Sequence, residues 1–281
     1  MFQKIAILGA GLIGASILRT AHARKLAKNL VAWSPSEASR KFCLSQPWCD
    51  GVATDPAAAA EDADLVIACT PVDTIAPVLA AAAPSLKTGA LVTDVGSAKL
   101  AIHQALQDVI PPRAVYIGSH PMAGSEKAGP GHSSDTLFQD RMCFVTPASN
   151  SSNGLAVRTL TGFWLDLGMR VVEVPPETHD AIVANNSHLP HLVAAALANV
   201  MLRHPAQWGS LAGMGLRDTT RVAAGSPLLW SGIVSQNRGE ILRALAELQE
   251  ELGEVSRAIQ ANDPKSLGAF LAKAQAWRSA L

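Results

Sequence analysis

A strand that runs straight into a glycine turn and then a helix limits what this chain can fold into. Lys4-Ile-Ala-Ile-Leu8 passes directly into Gly9-Ala-Gly-Leu-Ile-Gly14, and an Ala-rich helical stretch begins at Ala15. In that context each glycine has a separate task. Gly9 allows the tight turn, Gly11 lets the backbone approach a pyrophosphate, and Gly14 lets the helix pack closely on the strand. The helix N-terminus, with Leu12 and Ile13 in its first turn, supplies amides and positive potential to an anion. The turn therefore predicts a dinucleotide site at Gly9, Gly11, Leu12, Ile13 and Gly14.

The rest of the first half has the rhythm such a site requires. Short β-branched runs at residues 4–8, 30–33, 65–68, 91–93, 115–118, 143–146 and 170–174 alternate with helical stretches, which specifies parallel strands joined by crossover helices. After Pro175 the strand-like runs stop and helical periodicity holds to the end. The expected fold is thus an α/β, Rossmann-type doubly wound parallel sheet over residues 1–175, followed by an all-α domain over 176–281. Within the latter, Ile241, Leu245, Leu248, Leu252, Val255 and Ile259 recur at spacings of four and three. That is the seam of a long helix packed along another helix, read here as a dimerisation surface. Asp263 before Pro264 marks the start of a last helix, and 149–154 reads as a surface turn.

Composition removes several classes. The formal net charge is zero, which gives nucleic acid nothing to bind, and no apolar run is long enough to cross a membrane. The start lacks the basic and apolar regions of a signal peptide, so the expected location is cytoplasmic. Cys43, Cys49, Cys69 and Cys143 lie far apart with no CxxC pair, which predicts reduced thiols and no metal site.

Twenty residues beyond Gly14, where a carboxylate would select NAD by holding the ribose hydroxyls, stands Ser34. Ser34, Ser36, Arg40 and Lys41 are suited to surround a 2′-phosphate, so NADP is favoured over NAD; the competing reading makes Arg40 and Lys41 a solvated helix face. Thr70 and Pro71 after the third strand, and Ser97 after the fourth, belong to the next loops along the carboxyl edge, where the nicotinamide half would lie.

Gly118-Ser-His-Pro-Met-Ala-Gly-Ser-Glu126 follows the fifth strand, so His120 is expected to project from the same edge, in a rigid loop that aims its side chain. Further on come His179-Asp180, Ser187-His-Leu-Pro-His191, Gly215-Leu-Arg-Asp-Thr-Thr-Arg221 and Trp230. With GAGLIG and GSHPMAGSEKAG these segments resemble the prephenate and arogenate dehydrogenase family, in the right order over essentially the whole chain. The resemblance implies NAD(P)-dependent oxidative decarboxylation in tyrosine biosynthesis by a homodimer acting on a small-molecule substrate. It implies catalytic roles for His120, which takes the proton or hydrogen bond of the ring hydroxyl, and Ser97, which contacts that hydroxyl and the nicotinamide. It further implies that Arg221 holds a substrate carboxylate, that His191, His188 and Ser125 line the substrate pocket with His179 near its wall, and that Trp230 is a pocket aromatic. Glu126 is a candidate partner for an ammonium group, and the choice between prephenate and arogenate stays open.

Other readings compete. A β-hydroxyacid dehydrogenase of the 6-phosphogluconate type has a similar layout but expects a catalytic lysine just past the boundary, and residues 179–201 contain none. A nucleotide sensor without turnover explains the glycine turn but not His120, Ser97 and Arg221 together. Arg217 and Asp218 are expected to pair with each other or with another chain.

Overall fold

Six strands form the first sheet: β1 (Phe2–Leu8), β2 (Ala27–Trp33), β3 (Gly51–Val52), β4 (Leu65–Ala68), β5 (Leu91–Asp94) and β6 (Val115–Tyr116). They belong to a computed structural model that describes residues 1–124, 127–148 and 154–280. All pairings are parallel and the order is β3-β2-β1-β4-β5-β6. Strand order reverses between β1 and β4, which opens a crevice at their carboxyl ends. Both faces of the sheet are covered, so its strands read as continuous apolar runs. Along β1, Ile5 and Ile7 enter a core with Ile17, Leu18 and Trp164, while Ala6 and Leu8 enter another with Leu79 and Ile102.

The chain departs from the expected single parallel sheet at residues 115–118. β6 ends at Tyr116, and β7 (Gly118–Pro121) starts a second sheet with β8 (Met142–Thr146) and β9 (Arg170–Glu173). β7 runs antiparallel to β8, and β8 parallel to β9. Gly118 makes the switch possible, because a Cβ there would lie 2.5 Å from Thr146 Oγ1 and 3.0 Å from His103 Nε2. The Ser119 hydroxyl then ties the sheets together, 2.7 Å from Thr93 Oγ1 and accepting from Trp164 Nε1 at 2.9 Å. His120 consequently sits within a strand rather than in the expected loop.

Two compact units are present, 1–237 and 238–281. The helical run opens with Pro176–Val183 in the first unit, and a single π-helical turn, Ala184–His188, joins it to the helix Leu189–Met201. Pro190 lacks the amide that would bond to the carbonyl of Asn186, and a wider turn absorbs that gap. The second unit holds the helices Arg238–Gln260 and Pro264–Ser279. Asp263 caps the latter, accepting from Lys265 N at 3.0 Å and Ser266 N at 3.1 Å. Of the expected turn at 149–154, positions 149–153 lie outside the described residues, as do Ser125 and Glu126. All four cysteines are free thiols, and no helix among the described residues is long and apolar enough to cross a membrane.

Candidate active site

The crevice between β1 and β4 is lined by the glycine turn. Gly9 has φ +114°, and a Cβ there would meet the Cys69 carbonyl at 2.7 Å, so only glycine fits. A Cβ on Gly14 would stand 2.3 Å from Gly9 O and 2.8 Å from Ile7 Cγ2, so the helix Leu12–Ala23 packs tightly on the strand. Nothing stands within 4 Å of such an atom at Gly11. The backbone there is open toward the crevice, and no side chain caps the helix start, leaving its first amides for a ligand. Thr70, at the end of β4, has a buried hydroxyl with no hydrogen-bond partner among the described residues. A dinucleotide fits this place: an open glycine, uncapped amides and an unsatisfied hydroxyl meet along one edge.

At the end of β2, Ser34 is buried and its hydroxyl accepts from Ser36 N at 3.3 Å. Arg40 folds back so that its guanidinium donates to the carbonyls of Ser34 and Pro35. Ser36 caps the helix Glu37–Leu44 by accepting from Ser39 N. Lys41 instead pairs with Glu37 at 2.7 Å on the exposed face, so of the two cations only Arg40 stands at the turn.

Beyond β5 the loop carrying Gly96 and Ser97 leads to Lys99, whose side chain is fully buried. Its ammonium is ion-paired with Asp94 and donates to Ser119 O at 2.8 Å. Asp94 also accepts from Tyr116 OH at 2.7 Å and Gly96 N at 2.8 Å. Burial lowers the Lys99 pKa, opposed by the charge of Asp94. Ser119 is the residue before His120, so this ion pair anchors the strand that presents the imidazole.

His120 is 7% exposed, and its Nδ1 lies 2.8 Å from His179 Nε2. His179 Nδ1 in turn lies 2.7 Å from Asp180 Oδ1. Burial pushes the His120 pKa well below its ordinary value, helped by the neighbouring His179 and Lys99, so the ring is neutral at physiological pH. After β7 the chain passes the glycine turn, with Gly124 about 4.0 Å from Ile13 by the same Cβ measure. His120 and the dinucleotide turn therefore share one edge.

The helical wall brings together three of the expected residues. Trp230 stacks on His191 at 3.5 Å and 12°, and meets His188 edge-on at 6.1 Å. Gly225 permits the stack, since a Cβ there would fall 2.6 Å from Trp230 Nε1. His188 accepts from Asn237 Nδ2 at 3.2 Å, while the buried Nδ1 of His191 has no partner among the described residues. The helix of Trp230, Pro227–Gln236, lies against the turn that follows Pro71, with Gly232 next to Val72. Arg221 opens a short turn packed on the helix Leu189–Met201, is exposed, and makes no ion pair among the described residues. Arg217 donates to Ala212 O at 3.2 Å and not to Asp218. Sequence reasoning did not single out Asp94, Lys99, Tyr116, Asp180 or Asn237 for the site. Asp180 stood in the His179-Asp180 segment without a role of its own, the others showed only polarity within apolar surroundings, and what they pair with lies up to 81 positions away.

A doubly wound sheet with a nucleotide turn and a buried neutral imidazole on one edge defines a nicotinamide-dependent dehydrogenase. Residues 19–173 match the prephenate dehydrogenase nucleotide-binding domain, and residues 175–273 match the prephenate dehydrogenase dimerization domain. The chain belongs to the prephenate dehydrogenase family. It is 33% identical to a cyclohexadienyl dehydrogenase of Zymomonas mobilis, over all of this chain and 97% of that one. It is 30% identical to a prephenate dehydrogenase of Bacillus subtilis, over all of this chain and 76% of that one. Among solved structures it is similar to prephenate dehydrogenase from A. aeolicus in complex with hydroxyphenyl propionate and NAD+, with TM-score 0.92, 25% identity and coverage of 99% and 98%. Synechocystis arogenate dehydrogenase gives TM-score 0.86 and 28% identity over 98% of this chain and 99% of that one.

Proposed function

We propose that the chain converts prephenate or arogenate to 4-hydroxyphenylpyruvate or tyrosine, with NADP as the preferred hydride acceptor, and that it works in the cytoplasm as a homodimer. The observation that carries this reading is His120, buried and neutral at the edge that also bears the glycine turn and the Ser97 loop. Bound nicotinamide supplies the hydride acceptor. His120 accepts the proton of the ring hydroxyl as hydride leaves the same carbon, and Ser97 positions that hydroxyl. The carbon–carbon bond to the ring carboxylate then breaks, carbon dioxide departs, and the electron pair completes the aromatic ring. The proton held on His120 returns to the phenolate oxygen, so hydride is the only hydrogen lost. Arg221 grips a carboxylate of the substrate bidentately, and His188, His191 and Trp230 form the wall against its ring and side chain.

NADP is favoured by Ser34 and Arg40, since the turn after β2 offers a guanidinium and has a serine where an acidic residue would select NAD. The homodimer is supported by the match to a dimerization domain and by the seam of the long helix, where Leu252 and Ile259 are 57% and 62% exposed. The functional division at residue 175 follows the start of the helical run.

The test is turnover of purified protein with prephenate and with arogenate, each with NADP and with NAD, read by the absorbance of the reduced nicotinamide. We expect turnover with at least one substrate, and a His120→Asn variant about 10²- to 10⁴-fold lower in kcat with cofactor KM little changed. No turnover in any combination would overturn the assignment. Arg40→Ala is expected to raise the KM for NADP about tenfold while sparing NAD, because one charged hydrogen-bond partner of the 2′-phosphate is lost. An equal change for both cofactors would remove Arg40 from the 2′-phosphate site.

A further inference from the structure

The contacts of His120 specify which of its nitrogens can act. Asp180 is surrounded by donors: Lys99 N at 2.7 Å and His179 Nδ1 at 2.7 Å on Oδ1, and Leu100 N at 2.9 Å on Oδ2. A carboxylate so placed only accepts, so His179 must carry its proton on Nδ1. Burial lowers the His179 pKa, against the pull of Asp180, so the ring carries one proton and its Nε2 is a bare lone pair. The 2.8 Å contact with His120 Nδ1 then requires that nitrogen to be the donor. Phe144 packs edge-on to His179 at 5.2 Å and tilted to His120 at 6.5 Å, against both rings of the pair. The backbone carbonyl of Asp180 is fixed by Asn237 Nδ2 at 2.8 Å.

We infer that Asp180 and His179 are positioning residues that lock His120 as its Nδ1–H tautomer, so that only Nε2 presents a lone pair to substrate. The inference rests on the proposed role of His120 as the base. When the hydroxyl O–H bond breaks, its proton forms a new bond to Nε2 and His120 becomes an imidazolium. Its Nδ1–H still donates to His179 Nε2, and His179 Nδ1–H to Asp180, so the transient positive charge faces a lone pair backed by a carboxylate. Without the relay, the tautomer with the proton on Nε2 competes, and that form has no lone pair where the hydroxyl arrives.

Nitrogen-15 spectra of histidine-labelled protein at neutral pH, assigned with the His120→Asn and His179→Gln variants, read the tautomers without any turnover. For both rings we expect the proton on Nδ1 and a bare Nε2. A His120 ring protonated on Nε2 in the resting enzyme would overturn the relay while leaving the proposed reaction standing. A His120→Asn variant that retained full turnover would instead overturn the role of His120 itself. His179→Leu is expected to lower kcat about a hundredfold with cofactor KM unchanged and to move the His120 proton to Nε2. His179→Gln, whose amide oxygen reaches about the place of Nε2, should recover most of the loss and restore the tautomer. A kcat for His179→Leu within about threefold of wild type, or equal losses in the two variants, would defeat the inference.

Discussion

Acidifying the protein from neutral pH to about pH 4 should remove roughly 6 kcal/mol of its unfolding free energy, through His103 and His188 alone. Both pKa values are lowered from 6.5 to about 4, His103 by burial and the charge of Lys99, His188 chiefly by burial. In the unfolded chain each imidazole takes up its proton near 6.5, whereas the native state refuses it until about 4. The unfolded state therefore binds more protons throughout that window, and stability that is complete above 6.5 drains away as pH falls through it. Each group contributes roughly 3 kcal/mol, because one pKa unit corresponds to about 1.4 kcal/mol. His120, His179 and His191 shift in the same direction and add to the loss. Against a total stability on the order of 5–15 kcal/mol, this makes acid unfolding a histidine-driven event. Urea unfolding followed by circular dichroism at about pH 7 and about pH 5 is the measurement, with a clear drop in midpoint expected. An unchanged midpoint would mean that these rings take up their protons as readily in the native state as in the unfolded one. His103→Gln should flatten the profile by its own share, since the amide can keep a hydrogen bond to Thr146 Oγ1 without titrating.

What the chain discloses locally differs from what it discloses only when folded. The glycine turn is legible because strand, turn and helix are contiguous, and Gly9 and Gly14 have the conformation and crowding that their spacing predicts. The parallel strands of the first sheet are legible for the same reason, since two buried faces leave uninterrupted apolar runs. β3 was not legible, because two residues at a sheet edge carry no periodicity. The change of sheet at Gly118 was hidden too, because it depends on a glycine meeting Thr146 and His103, which no local pattern records. His120 was found through its motif, but its partner lies 59 positions on. His179-Asp180 is visible as a pair of letters, while the direction in which the pair points is a property of the packed chain. Lys99 and Asp94 lie five positions apart in a segment that resembles ordinary turn chemistry, so their mutual burial was invisible until β5 and β7 came together.

That buried pair leads to the second large effect: Lys99→Met should destabilise the protein by about 3–5 kcal/mol. Both side chains are 0% exposed. Methionine fills much the same volume, so the loss comes from charge rather than from a cavity. Without the ammonium, Asp94 keeps only the Tyr116 hydroxyl and the Gly96 amide among the described residues, and the Ser119 carbonyl loses the Lys99 donor. An unpaired carboxylate at such depth must either remain charged without a counter-ion or take up a proton, and each course costs free energy that the native ion pair avoids. The same reasoning predicts partial recovery. Asp94→Asn added to Lys99→Met removes the orphan charge while its amide oxygen can still accept from Gly96, so the double variant should be more stable than Lys99→Met alone. Replacing a whole buried pair commonly costs little, whereas halving it costs the most. Equilibrium urea unfolding of the wild type, the single variant and the double variant decides the matter. If the two substitutions simply added their losses, the pair would be held by the geometry of β5 and β7 and not by its charges, and the anchoring of His120 through Ser119 would have to be sought in Thr93 and Trp164 instead.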